Sequence, residues 1–157
     1  MRFLARFCIL CKADHGASLV ELALVTPILF LLLMGAVDFG RAYYVGLEVA
    51  DAAHAGAEYG SQNPSSTAGI TAAARQSAPN LSNLTVTPPT WGCECSDGSS
   101  YTASCTTTPT CTETAIRGSN VVNRVQVTTS SAYTTVIPWP FIPSSITLSD
   151  TATVRGN

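Results

Sequence analysis

Residues 16–37 read GASLVELALVTPILFLLLMGAV: a glycine, four residues, a glutamate, and then an almost unbroken apolar run. At about 1.5 Å per residue, the stretch from Ala17 to Val37 rises about 31 Å as a helix, close to the hydrocarbon thickness of a bilayer. A helix also closes its backbone hydrogen bonds internally, as a water-free environment demands. The stretch is therefore read as a transmembrane helix in preference to the core helix of a soluble protein, and it decides the architecture: one anchor near the N-terminus with the rest of the chain attached to it.

The charges around this stretch set a direction. Arg2, Arg6 and Lys12 precede it, whereas Asp38, Arg41, Glu48 and Asp51 follow it. By the positive-inside rule the N-terminus stays in the cytoplasm and the C-terminal part is translocated. The whole chain carries a formal charge of −2 over 157 residues, with 11% charged residues. Without residues 1–16 it would keep five basic and nine acidic residues. That balance disfavours nucleic acid as a partner, since phosphate neutralisation needs a basic surface.

Met1 to His15 is short and basic, and it contains a lone CxxC at Cys8 and Cys11. A redox or zinc site would need a βαβ context or a second cysteine pair, so the segment reads as a leader. Ordinary signal-peptide cleavage would fall after the apolar run, where the candidate Met34-Gly35-Ala36 has methionine at a position that wants a small residue. Glu21 is the costly residue, since a carboxylate at the bilayer centre costs up to about 3 kcal/mol, and less near an end. Cleavage after Gly16 would give Ala17 a free α-amine one helical turn from Glu21, able to meet that carboxylate or a neighbouring subunit's. A glutamate that simply reaches the headgroups is the equal alternative.

These residues carry a resemblance. The basic leader, Gly16, four residues, Glu21 and an apolar helix resemble the type IV prepilin processing pattern, in which a membrane aspartyl peptidase cuts after the glycine. The wider set, Val20-Glu21, Thr26-Pro27, Asp38-Phe39-Gly40-Arg41 and Ala53-His54-Ala55-Gly56-Ala57, is similar to the TadE-like pseudopilins of tight-adherence (Flp-type) pilus systems. The resemblance implies a minor pilin-like subunit of the bacterial inner membrane, processed at Gly16 by a prepilin peptidase, with other pilins and the assembly machinery as partners. It marks Pro27, Phe39, Gly40 and Gly56 as assembly or packing candidates. Such proteins often carry arginines around the Gly-Ala pair, and His54 and Glu58 stand there instead, so no contact of those arginines carries over to this chain.

The anchor helix is expected to continue as a stem over residues 38–60, with Pro27 giving a mild kink because it removes the N–H that would bond the Ala23 carbonyl. Val45, Val49, Ala52, Gly56 and Tyr59 form its apolar face. Residues 60–64 should end the stem, and a second helix over about 66–77 should be capped by Ser65 or Ser66. Leu84 to Thr87 is a candidate strand, and Pro88-Pro89 opens a long loop to about Gly118. In that loop lie Cys93, Cys95, Cys105 and Cys111, an even set in a translocated segment, hence two disulfides rather than structural zinc. A Cys93–Cys95 bond would be a strained ring, which leaves two pairings open.

From residue 120 the pattern is of strands: 121–127, 133–137 and 145–154. Trp139 and Phe141 are expected as core or loop anchors, with an exposed partner-binding pair as the alternative. The fold class is thus α+β, a long transmembrane and stem helix on a small antiparallel sheet with a disulfide-bearing loop, divided into a leader 1–16, a span 17–37, a stem 38–60 and an extracytoplasmic domain 61–157. His15 and His54 are the only histidines, and no nucleophile elbow, phosphate loop or metal-spaced set is present, so neither catalysis, nor a cofactor, nor a metal is expected. The rival reading is an uncleaved single-pass membrane protein whose external domain binds a ligand or surface.

Overall fold

A computed structural model describes residues 14–111, 120–138 and 141–156. Residues 1–13 of the leader and Trp139 lie outside the described residues, and residues 14–16 of the leader open the first helix. The chain divides into two compact units, residues 1–40 and 41–157. Helix α1, Asp14–Gln62, belongs to both and contains Pro27.

In the first unit α1 is apolar and bare. Leu19, Leu24, Phe30, Leu32 and Val37 are all more than half exposed. By length and composition α1 alone among the described helices could cross a membrane. Its continuity through Pro27 follows from the missing N–H being a local loss, while Thr26 Oγ1 donates to the Leu22 carbonyl at 2.6 Å in the adjoining turn.

The second unit is a five-stranded antiparallel sheet covered on one face by two helices. After α1 come α2 (Thr67–Ser77), β1 (Thr85–Val86), β2 (Thr90–Cys95), β3 (Tyr101–Thr102), β4 (Val121–Thr134) and β5 (Ser145–Gly156). β4 is the centre: β1 and β2 share one of its edges, β3 extends β2, and β5 pairs along the other edge from Asn123↔Gly156 to Thr134↔Ser145.

Two sequence expectations are corrected here. The long loop contains β2 and β3, and the two strands expected at 121–127 and 133–137 are one strand of 14 residues. Residues 128–131 are polar and look like a break, yet Thr129 and Ser131 are buried on the same alternating face as Val125, Val127 and Tyr133. Their hydroxyls are satisfied: Thr129 Oγ1 donates to the Val49 carbonyl at 2.7 Å, and Ser131 Oγ donates to Asn83 Oδ1 at 2.8 Å. Small polar side chains with a local acceptor allow the close approach of helix and sheet at no net desolvation penalty.

α1 and β4 run antiparallel. Arg41 lies over the Tyr133 ring, Val49 meets Thr129, Gly56 faces Val127 and Gly60 faces Val125. The packed face of α1 is Val49, Ala52, Ala53, Gly56, Ala57 and Gly60, all buried. Tyr59, expected on it, is 39% exposed. At 3.6 residues per turn it is position 60 that returns to the strand, while the Tyr59 ring flanks it and lies over Gly69. Ser66 precedes α2 as expected, but its side chain makes no capping hydrogen bond. Ile70 and Ala74 of α2 complete the core with Val125, Val127, Ala152 and Leu84. Phe141, expected as an anchor, is 97% exposed.

The two stem glycines differ in what they tolerate. A Cβ at Gly56 would lie 3.2 Å from Val127 Cγ1 and 3.3 Å from Ala74 Cβ, whereas one at Gly60 would lie 2.7 Å from Val125 Cγ1, a stiff β-branched side chain. Alanine gains about 1 kcal/mol of helix propensity over glycine at either site. Gly56→Ala is therefore expected to be near neutral and Gly60→Ala to cost about 1–2 kcal/mol net after overpacking. Urea unfolding of both variants in detergent checks this, and equal stabilities would show that Val125 yields.

Candidate functional site

The first candidate is the N-terminal turn of α1. Gly16, Ala17 and Glu21 all lie on α1 and are exposed, and a Cβ at Gly16 would meet no atom within 4 Å. Ala17 and Glu21, four residues apart on a helix, share one face. Within the described residues of the first unit Glu21 is exposed, a carboxylate on an otherwise apolar stretch of helix. Of the packing candidates, Gly56 is enclosed between Val127 and Ala74, while Phe39 is 75% exposed and Gly40 has nothing within 4 Å of a Cβ.

The second unit supplies two polar clusters that sequence reasoning missed. On α1, Glu48 is buried and accepts a hydrogen bond from Asn80 Nδ2 at 2.6 Å, and the Tyr44 hydroxyl adjoins both. The Tyr44 phenol is raised above its ordinary value of 10.0, first by its hydrogen bond to Glu48, then by that carboxylate's charge and by desolvation, against the Asn80 bond that lowers it. Its proton is thus held more tightly folded than unfolded. This contribution to stability is intact below pH 10 and lost as pH rises through the folded value.

On the sheet face opposite the helices, Arg124 and Arg155 are directly paired across β4 and β5, an arrangement of like charges that destabilises a sheet on its own. Glu94 of β2 resolves it: Arg124 Nε is 3.3 Å from Oε2 and Arg155 Nη2 is 2.5 Å from Oε1. Arg124 also sits 4.9 Å from the Tyr101 ring centroid. Gly92 has no room for a side chain, since a Cβ would lie 2.2 Å from the Thr102 carbonyl oxygen and 2.9 Å from Tyr101 Cε2. The available signal was a single acid between two cysteines, and it is weak without strand register.

The disulfides are Cys93–Cys105 and Cys95–Cys111, one of the two pairings left open. Cys93 and Cys95 sit on β2 opposite Asn123 and Val121, on the helix-covered face. Gly60 and Ser61 in the last turn of α1 lie against Val125 and Gly156, and the disulfides tie Cys105 and Cys111 to the same face of β2 further along the sheet. Among the described residues no group of three or more His, Cys, Asp or Glu side chains could hold a metal ion.

Chemically, the described residues offer an exposed apolar helix with one outward carboxylate, joined to a small disulfide-bonded domain. Residues 16–58 match the family model of TadE-like protein. The matched region begins at Gly16, runs through the apolar stretch and ends in the last turns of α1. The TadE-like match thus lies on the helix and leaves the sheet and the disulfide segment outside it. No curated protein and no solved structure gave a match to the chain.

Proposed function

We propose that the chain is a membrane-anchored minor pilin-like subunit, a pseudopilin, acting in assembly of a tight-adherence (Flp-type) pilus. The observation that carries the reading is the TadE-like match over residues 16–58, which coincides with an exposed apolar helix of membrane-spanning length. In this reading a prepilin peptidase cuts after Gly16, the helix stays in the bacterial inner membrane with its N-terminal side cytoplasmic, and the second unit is held outside the cytoplasm. Glu21 then faces the new Ala17 amine of its own or a neighbouring subunit, which offsets the cost of a carboxylate in the helix. The protein presents a surface to other pilins and to the assembly machinery and performs no chemistry of its own.

Intact mass and N-terminal sequencing of membrane-extracted protein test the processing step. The expected product begins at Ala17. A side chain at Gly16 must enter a subsite shaped for a bare Cα, and a misfit of that size slows cleavage about 10- to 100-fold. Gly16→Val should therefore accumulate the unprocessed chain. Glu21→Ala is expected to be cut normally but to lose pilus assembly. Full-length protein in cells with an active peptidase would instead favour an uncleaved anchor carrying a binding domain.

A further inference from the structure

The hairpin of β4 and β5 is chemically lopsided. Residues 125–149 contain no charged side chain, whereas Arg124 and Arg155 stand together at the far end. Past Tyr133 four of the described large apolar side chains are exposed, Val136 at 61%, Phe141 at 97%, Ile142 at 47% and Ile146 at 38%, while Thr135 N donates to the Ser144 carbonyl and keeps the two arms together. Large apolar side chains grouped at a charge-free tip are unusual on a water-facing surface.

The tip's position within the second unit identifies what covers it. β4 runs antiparallel to α1, and Arg41, the first residue of this unit, lies over the Tyr133 ring. The tip is therefore at the end of the domain where the chain arrives from the apolar stretch, and Arg41 follows Val37 by four positions, about 6 Å of helix. Tyr43 and Tyr44, both more than half exposed, lie one turn further on. Tyrosine and arginine at the end of a span are the side chains that settle at the headgroup level.

We infer that the β4–β5 tip, through Val136, Phe141, Ile142 and Ile146, dips into the headgroup–acyl boundary of the bilayer in which α1 is anchored. The occupant is the lipid surface and not a protein groove, because the tip has no charge with which to select a partner and is tethered close to the membrane by its own chain. The domain is thereby held at two points, the helix and the tip, which fixes its orientation before it meets another subunit. This rests on the membrane anchoring in the proposed function, not on the processing step.

The test uses the full chain in phosphatidylcholine vesicles, with Trp91→Phe and Trp139→Phe to clear the optical background and Phe141→Trp as the probe. Phe141 is nearly fully exposed, so the substitution removes no packing. Acyl-brominated phosphatidylcholine should quench this emission about twofold, as for a ring at the headgroup–acyl boundary, and a Ser99→Trp probe in the exposed β2–β3 turn hardly at all. Vesicle flotation with equal, weak quenching at both positions would overturn the inference while leaving the anchor intact. A blue-shifted but unquenched Phe141→Trp probe would mean burial against protein and would also overturn it. Loss of flotation itself would overturn the anchoring and this inference with it.

Discussion

Replacing Cys93, Cys95, Cys105 and Cys111 together by alanine is expected to remove about 6 kcal/mol or more of stability from the second unit, the largest effect open to a few substitutions outside the helices. The bonds span sequence separations of 12 and 16 residues. Loops of that size are each worth about 3 kcal/mol in the chain-entropy account. Two further observations set the size of the loss. Cys93 and Cys95 are 5% and 0% exposed, so their sulfurs are packing atoms. The pair also holds residues 105–111 against Asn123, where Cys105 Sγ lies 3.7 Å from Oδ1, and without that cover the end of the sheet beyond α1 opens to water. A domain's whole stability is about 5–15 kcal/mol, so the variant should be largely unfolded or digested at moderate urea while α1 stays in the detergent micelle. Urea titration followed by protease sensitivity reads this directly. Reduction of the unaltered protein should reproduce most of the effect, and a midpoint unchanged by either treatment would show that strand pairing alone holds the segment.

The helices and the outermost strand were legible because their signals are local. The apolar run, the alanine face and the Gly60 to Pro64 break place α1 within a few residues, and the alternation of Ile146, Leu148, Ala152 and Val154 places β5. β2 was hidden by its own chemistry. Its inward positions are Trp91, Cys93 and Cys95, which read as loop and disulfide residues, and Gly92 and the preceding prolines are strand breakers on propensity. The middle of β4 was hidden because Thr129 and Ser131 are inward for hydrogen bonds to Val49 and Asn83, partners 80 and 48 residues away. No window of sequence contains such partners. The same holds for the polar clusters: Glu48 with Asn80 and Glu94 with Arg155 join residues that only the fold brings together.

That division bears on how the protein divides its work. The TadE-like match ends at residue 58, two residues before the glycine whose place Val125 would contest. The helix carries the pattern that resembles a pilin, and the same helix face from Val49 to Gly60 is committed to its own sheet. In the proposed role, assembly contacts would use the other faces of α1, which the first unit leaves exposed from Leu19 to Val37, or the surface of the second unit.

The second large effect is expected at the outer-face ion cluster, and its sign depends on which partner is removed. Arg124→Ala with Arg155→Ala leaves the Glu94 carboxylate, 8% exposed, without either guanidinium. An uncompensated buried charge costs about 3–5 kcal/mol, and the partial exposure of Arg124 and Arg155, 29% and 51%, argues for the lower end because their charges are already screened. The double variant should thus lose about 3 kcal/mol. Adding Glu94→Leu removes the stranded charge and puts apolar volume between Gly92, Gly98 and Tyr101, so the triple variant should recover most of that loss, about 2 kcal/mol. A simple sum of contacts predicts the reverse order, with the triple variant weakest. Urea midpoints of the three proteins in one detergent decide the matter: a triple variant no more stable than the double one would mean that Glu94 finds solvent when its partners go, and that the cluster is held by the strands instead of helping to hold them.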